Sequence, residues 1–287
     1  MTWLLLSIFA AAANFLWFKL YERWQVNTLV AVAANYPLCV ALAWLTGDVD
    51  LGSFAFSHPW LPAAIIIGFL YVALFVLIGQ SAQTLGVNIT AVASKMSFVI
   101  PMAAAHLYLD IPYTATEALA LLLALAAIYW QSAVQPNHTA SKALSWLLPL
   151  LIFLGGGLAD SLLQFTESKQ LPVYQQSLFI MTLFGTAGFF GWSAVGLQLM
   201  QKQLSIKTKD LLAGALLGLT NFTTVFALLR AFGSGLPAAY VFPMLNVGII
   251  LLTALAAALL FGEKPKGKQW WGLAAALLAI AFYASDL

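Results

Sequence analysis

The sequence predicts an all-α integral membrane protein of ten transmembrane helices, arranged as two inverted five-helix repeats. Three observations carry this expectation. Of 287 residues, 62% are hydrophobic and 8% are charged, against about 25% charged in an average soluble domain. The apolar runs are about 18 to 25 residues long, each enough for a helix across ~30 Å of hydrocarbon, whereas the strands of a membrane barrel would alternate over about ten residues. The two halves of the chain also repeat one another's features in the same order.

Spans are expected at 2–19, 27–46, 59–81, 87–107, 116–133, 144–165, 173–199, 210–232, 236–261 and 268–285. The first lacks the basic leader of a cleaved signal peptide and is followed by Lys19 and Arg23, so it reads as retained. Gly86, and the stretch from Gly233 to Pro237, leave room only for tight turns before the fourth and ninth spans. The longest connections, Val49 to His58 and Gln135 to Lys142, hold no soluble domain. The chain therefore reads as one membrane domain over 1–287, with repeat 1 over 1–135 and repeat 2 over 142–287.

Composition narrows the chemistry further. A single cysteine, Cys39, leaves no internal disulfide, thiolate metal site or CxxC redox pair. The net charge of +2, with its lysines scattered, does not fit nucleic-acid binding. No cofactor or metal is expected. The odd-numbered loops hold nine basic residues, including Lys19, Arg23, Lys142, Lys202 and Lys264, and the even-numbered loops and helix ends hold two, Lys169 and Arg230. That bias places the odd loops in the cytoplasm and both termini outside.

The internal repeat is legible in three places. Thr2 to Phe18 parallels Ser145 to Leu162; Gly68 and Gly86 fall opposite Gly218 and Gly235; and Asp110 with Pro112 falls opposite Glu263 with Pro265, all at offsets of about 150 residues. Five spans per repeat is an odd number, so the second copy enters the membrane from the opposite side. Inverted repeats of this kind are a recurring build of secondary transporters, in which the two copies adopt swapped conformations around a central site.

Ten spans in a five-plus-five arrangement, the acid and proline between the last two spans of each half (Asp110 and Pro112; Gly262-Glu263-Lys264-Pro265), and Gly267 and Gly272 near the start of the last span resemble the drug/metabolite transporter superfamily, in its EamA-type branch. The resemblance covers nearly the whole chain. It implies a ten-helix transporter of a superfamily whose members move amino acids, drugs, nucleotide sugars or sugar phosphates, and it implies termini in the cytoplasm. On that last point it differs from the lysine count.

The residues that could carry transport are polar groups inside apolar runs. Lys95 lies near the middle of the fourth span, where a charge costs roughly 2.5 to 3.5 kcal/mol on insertion scales and must find protein or water. On one helix, Asn88, Lys95 and His106 fall on one stripe, with Thr90, Ser94, Ser97 and Pro101 beside it. Lys95 could instead snorkel or form a structural ion pair. Asp160, in the sixth span after Gly155-Gly156-Gly157, is the acid well inside a helix, and Ser161, Gln164 and Glu167 continue its face. It could neutralise Lys95, titrate as a proton-coupling group, bind a cationic part of the substrate, or be merely interfacial. In the ninth span Tyr240, Pro243 and Asn246 stand opposite the fourth, with Met244 at the place of Lys95. Pro101 and Pro243 each free a carbonyl, so kinks or gating bends are expected there. Asn14, Asn35, Tyr71, Asn221 and Thr224 add uncharged polar groups at mid-membrane, serving helix packing or substrate contact.

These readings point to a secondary active transporter of a small polar or amphipathic metabolite, anionic compounds such as an amino acid or a phosphorylated compound included, working by alternating access and driven by protons or exchange. Its partners would be a small-molecule substrate and the lipid bilayer, with no nucleic acid, and the chain would act as monomer or homodimer in a bacterial cytoplasmic membrane. The alternatives are a flippase of a phosphate-bearing lipid carrier on the same fold, and a membrane-embedded lipid-modifying enzyme. The enzyme is disfavoured because His58, His106 and His138 are unclustered and no HExxH or GxSxG motif is present.

Overall fold

A computed structural model describes residues 1–46, 56–101, 103–104, 114–132, 142–233, 238–263 and 265–285. Its helices are α1 (Thr2–Trp24), α2 (Thr28–Thr46), α3 (Leu61–Thr84), α4 (Val87–Met96), α5 (Ala115–Ser132), α6 (Lys142–Lys169), α7 (Gln176–Met200), α8 (Thr208–Gly233), α9 (Ala238–Phe261) and α10 (Lys268–Ser285). Among the described residues there is no strand. Among the described residues seven helices, α1, α2, α3, α6, α7, α8 and α9, contain a stretch long and apolar enough to cross a membrane, and shorter apolar helical stretches lie at Val87–Pro101, Ala118–Trp130 and Lys268–Phe282. The chain is an all-α, multi-pass membrane protein. Its surface agrees: Leu45, Phe189, Leu255 and Leu259 are exposed, as lipid contact requires. Trp3, Trp24, Trp146, Trp270 and Trp271 are exposed near helix ends, as an interfacial belt would be, whereas Trp17 is half-buried against Trp24.

One expected span is not a single helix. The run from Val87 to Leu107 breaks after Met96, with Ser97 and Phe98 in a turn before helix resumes at Val99. Pro101 explains the position. It has no N–H to give the Ser97 carbonyl one turn earlier, and its ring crowds that carbonyl. The Ser97 oxygen accepts instead from the Ile100 N–H at 3.0 Å, the tighter 3₁₀ pattern. Asn88 and Lys95 therefore share a stripe within α4, but the carry-over to His106 assumed a continuous helix and does not follow. His106, Asp110, Pro112, His138 and Lys264 lie outside the described residues.

Small residues decide how closely the helices cross. Gly155-Gly156-Gly157, which the sequence suggests as a flexible point, lies within the continuous helix α6. A Cβ on Gly156 would stand 3.1 Å from Ser97 Oγ, and one on Gly157 would overlap the Ile100 side chain, so these glycines let the broken end of α4 rest on α6. Alanines do the same between α5 and α10, where Ala120, Ala124 and Ala127 and Ala275, Ala276 and Ala279 are buried. Those small residues pack one helix of the chain against another.

Helix starts are tied across the molecule. Asp210 sits in the first turn of α8 and its carboxylate accepts the Lys207 N–H at 3.1 Å, the acid half of a capping box. The other oxygen accepts the Asn27 N–H at 2.9 Å, just before α2, while Asn27 Oδ1 caps α2 by accepting the Val30 N–H. Similarly, Trp60 Nε1, before α3, donates to Gln175 Oε1, before α7, at 2.6 Å. With these ties in place, α1 packs against α3, α8 and α9, α2 against α7 and α8, α3 against α6 and α7, and α4 against α5, α6 and α9.

Candidate functional site

The broken end of α4 opens onto an internal cavity of about 210 Å³. Six helices build its wall. Helix α1 presents Asn14, Phe15 and Phe18; α2 presents Tyr36; α3 presents Tyr71 and Phe75; α4 presents Ser94, Lys95 and Ser97; α6 presents Gly156 and Asp160; and α8 presents Asn221 and Thr224. The sequence suggests a cavity between the first, third, fourth, sixth, eighth and ninth spans. Among the described residues, α2 contributes to this wall and α9 does not.

Lys95 occupies the last turn of α4. There the unpaired carbonyls carry the negative end of the helix dipole, which favours a cation. Its Nζ also lies 6.0 Å from the centre of the Phe15 ring, at the outer reach of a cation–π contact. Asp160 faces the same cavity from the middle of α6. The two charges act on one another across the space, yet they make no direct ion pair. This is the central feature of the site: two opposite charges line one cavity without a direct ion pair between them.

Aromatic groups form a large part of the lining. Phe18 and Phe75 meet edge to face at 5.7 Å, and the Tyr36 ring stacks on Phe75 at 6.4 Å. Tyr36 is 1% exposed, and its hydroxyl has no hydrogen-bond partner among the described residues. Its polar neighbour Asn35 lies close but turns its amide to the Val32 carbonyl and its oxygen to the Asn221 amide at 3.0 Å. Tyr71 stands near Asp160.

The structure thus brings Asn14, Tyr71, Ser94, Lys95, Ser97, Asp160 and Asn221 to one cavity, and leaves other candidates elsewhere. Asn14 accepts from the Thr220 hydroxyl and Asn221 bonds Asn35, so both also serve packing. Asn88, the second residue of α4, donates to the Glu263 carbonyl at 3.2 Å and is not part of the cavity wall. Gln164 is exposed, and Asn246 is buried in α9 away from the cavity wall. Tyr240 and Pro243 belong to α9, and their side chains lie outside the described residues. Tyr36 escaped the sequence reading. The available signal was a hydroxyl in the middle of the apolar second span, beside Asn35 and before Pro37.

A second arrangement lies about 12 Å away, eight residues back along α4 at 1.5 Å each. Lys19 Nζ makes ion pairs with Glu22 at 3.0 Å and Glu263 at 3.2 Å, and donates to the Gln83 carbonyl. The other Glu263 oxygen accepts the Val87 N–H at 2.9 Å, at the start of α4. Gly262, with φ 69°, ends α9 in the left-handed conformation, and the Glu263 N–H returns to Ala257 O at 3.1 Å. This turn aims the carboxylate at Lys19. A Cβ on Gly86 would stand 2.9 Å from that carboxylate, so the glycine makes room for it.

A larger crevice of about 630 Å³ between α2 and α7, lined by Pro37, Phe184, Phe189 and Trp192, has no charged residue in its wall and suits lipid better than a polar solute. Among the described residues no group of three metal-binding side chains is found.

No family model matches the chain. It is 21% identical over 285 residues to an uncharacterized protein of Haemophilus influenzae, covering 96% of this chain and 95% of that one. It is also similar to a protein of known crystal structure, at 14% sequence identity and a TM-score of 0.58, over 98% of this chain and 99% of the other. The second likeness extends over the full length of both chains and shows a shared fold.

Proposed function

We propose that the protein is a secondary transporter that carries a small polar or amphipathic metabolite through the Lys95–Asp160 cavity by alternating access. The observation that carries this reading is the pair of opposite charges, not joined in a direct ion pair, facing one space in a multi-pass membrane protein. Intramembrane charges are retained where they bind or relay something. The reading includes ten spans in two inverted repeats, membership of the drug/metabolite transporter superfamily in its EamA-type branch, a bacterial cytoplasmic membrane, and drive by protons or exchange.

Three relationships support the repeat. Exchanging the halves turns the contact of α2 with α8 into that of α7 with α3, and the contact of α1 with α9 into that of α6 with α4; all four exist. The starts of α2 and α8 are tied through Asp210, and the matching starts of α7 and α3 through Gln175 and Trp60. Gly68 of α3 lies where a Cβ would crowd the Leu183 carbonyl of α7, and Gly218 of α8 where one would crowd the Asn35 carbonyl of α2. Two copies of one packing scheme, entering from opposite sides, can exchange conformations around the cavity. The Lys19–Glu263 contact is then a latch holding α1, α4 and the end of α9 together at one mouth, and it opens once per cycle.

The test is a thermal-shift screen of purified protein against amino acids, nucleotides, sugar phosphates and polyprenyl phosphates, followed by uptake of the stabilising compound into proteoliposomes. A ligand bound only by the folded state raises the melting temperature. Saturable uptake supports the reading; a ligand that binds tightly and never crosses contradicts it.

A further inference from the structure

The cavity's chemistry narrows the substrate class. Lys95 and Asp160 present a cationic and an anionic group to the same small space without closing into a direct ion pair. A substrate with only a negative charge would satisfy Lys95 and leave Asp160 facing it unpaired; a cation would do the reverse. Leaving a buried charge unpaired costs more than a missing neutral contact. A molecule with both charges satisfies both. The Tyr36 hydroxyl, buried and unpartnered on the same wall, supplies a third polar contact. Beside the uncharged polar groups, Phe15, Phe18 and Phe75 give the wall an aromatic stretch that suits a short apolar group.

Resting on the transport reading, we infer that the substrate is a small zwitterion with an apolar side group, its anionic end on Lys95, its cationic end on Asp160, and Tyr36 a specificity-determining residue that bonds a charged end. Asp160 is then a substrate contact and not a proton carrier. The volume of about 210 Å³ is below the roughly 300 Å³ at which pockets for drug-sized ligands begin, so the ligand is on the scale of a free amino acid.

The test uses the purified full-length chain in detergent and three probe sets: L-alanine, L-leucine and L-phenylalanine, each beside its N-acetyl derivative, which keeps only the anion, and its methyl ester, which keeps only the cation. Binding is measured by calorimetry, with inorganic phosphate as a further arm. The expected result is that at least one free amino acid binds at least tenfold more tightly than both of its derivatives. Tyr36→Phe should weaken it by roughly tenfold, the loss of one bond to a charged group, while the unliganded melting temperature stays within a few degrees. An N-acetyl derivative or phosphate binding as tightly as the free amino acid overturns the inference, as does absence of binding by all three amino acids. The transport reading fails differently: a zwitterion that binds as described but is not carried into proteoliposomes removes transport and leaves the site chemistry standing.

Discussion

Lys19 and Glu263, 244 positions apart in the chain, meet at 3.2 Å, and the same carboxylate caps the start of α4 through the Val87 N–H. One side chain thus joins α1, α4 and the end of α9. Removing it deletes an ion pair and a helix cap at once. Glu263→Ala should destabilise the protein by about 0.5–2 kcal/mol, the usual cost of a lost cap. Lys19→Ala should cost less, because this partly exposed ion pair is weak by itself. The double variant should fall short of the sum, since the two residues share a contact. Thermal unfolding followed by tryptophan fluorescence measures all three. In the transport reading, Lys19→Ala also raises labelling of a cysteine introduced at Ser94 in a Cys39→Ala background, from the side on which the latch lies.

Pro101 breaks the fourth span where Lys95 sits. Pro101→Ala restores an N–H for the Ser97 carbonyl and lets α4 run on through 97 and 98. Helix-interior proline costs about 3 kcal/mol, so this variant should melt higher than the parent. Its uptake should fall, because Lys95 loses its place at a helix end. A stabilised variant with undiminished uptake would remove the break from the mechanism.

Gly157 touches the chain just past that break. A Cβ there would overlap the Ile100 side chain at its Cβ, Cγ1 and Cδ1 atoms. Gly157→Ala should therefore destabilise by roughly 1–3 kcal/mol, the range for overpacking. Ile100→Val, which removes one methyl group from the contact, should recover part of the loss. Gly185, with open space around its Cβ position, is the control. Gly185→Ala should be neutral or stabilising, since alanine is the better helix former by about 1 kcal/mol.

How much of this was legible in the sequence depends on the distance over which each feature acts. Helices set by apolar run length were readable to within a few residues, because length and composition are local. The break at Ser97 was half-readable: Pro101 marks a kink, but whether it bends a helix or interrupts it depends on what packs there, here Gly156 and Gly157 of another helix. Lys95 and Asp160 stood out because charge in an apolar run is costly wherever it occurs. Tyr36 did not, since a tyrosine is ordinary in a membrane span and only the missing partner of its hydroxyl marks it. Glu263 was noticed for its place beside Pro265, not for its contact; a bond to a helix start 176 residues away has no signature in sequence. Asn88 misled for the same reason, its stripe position being right and its partner lying at the far end of α9.

In the transport reading, Lys95 and Asp160 together hold the transported molecule. The most direct test is uptake into proteoliposomes of the compound that most raises the melting temperature, measured for the parent, Lys95→Gln and Asp160→Asn at matched protein content. Each substitution keeps size and polarity and removes one charge. Both variants should fold, with melting temperatures near or above the parent's, and each should lose at least tenfold in uptake and in counterflow exchange, the assay in which a pure proton carrier would be dispensable. Uptake and exchange at parental rates in either variant would contradict it.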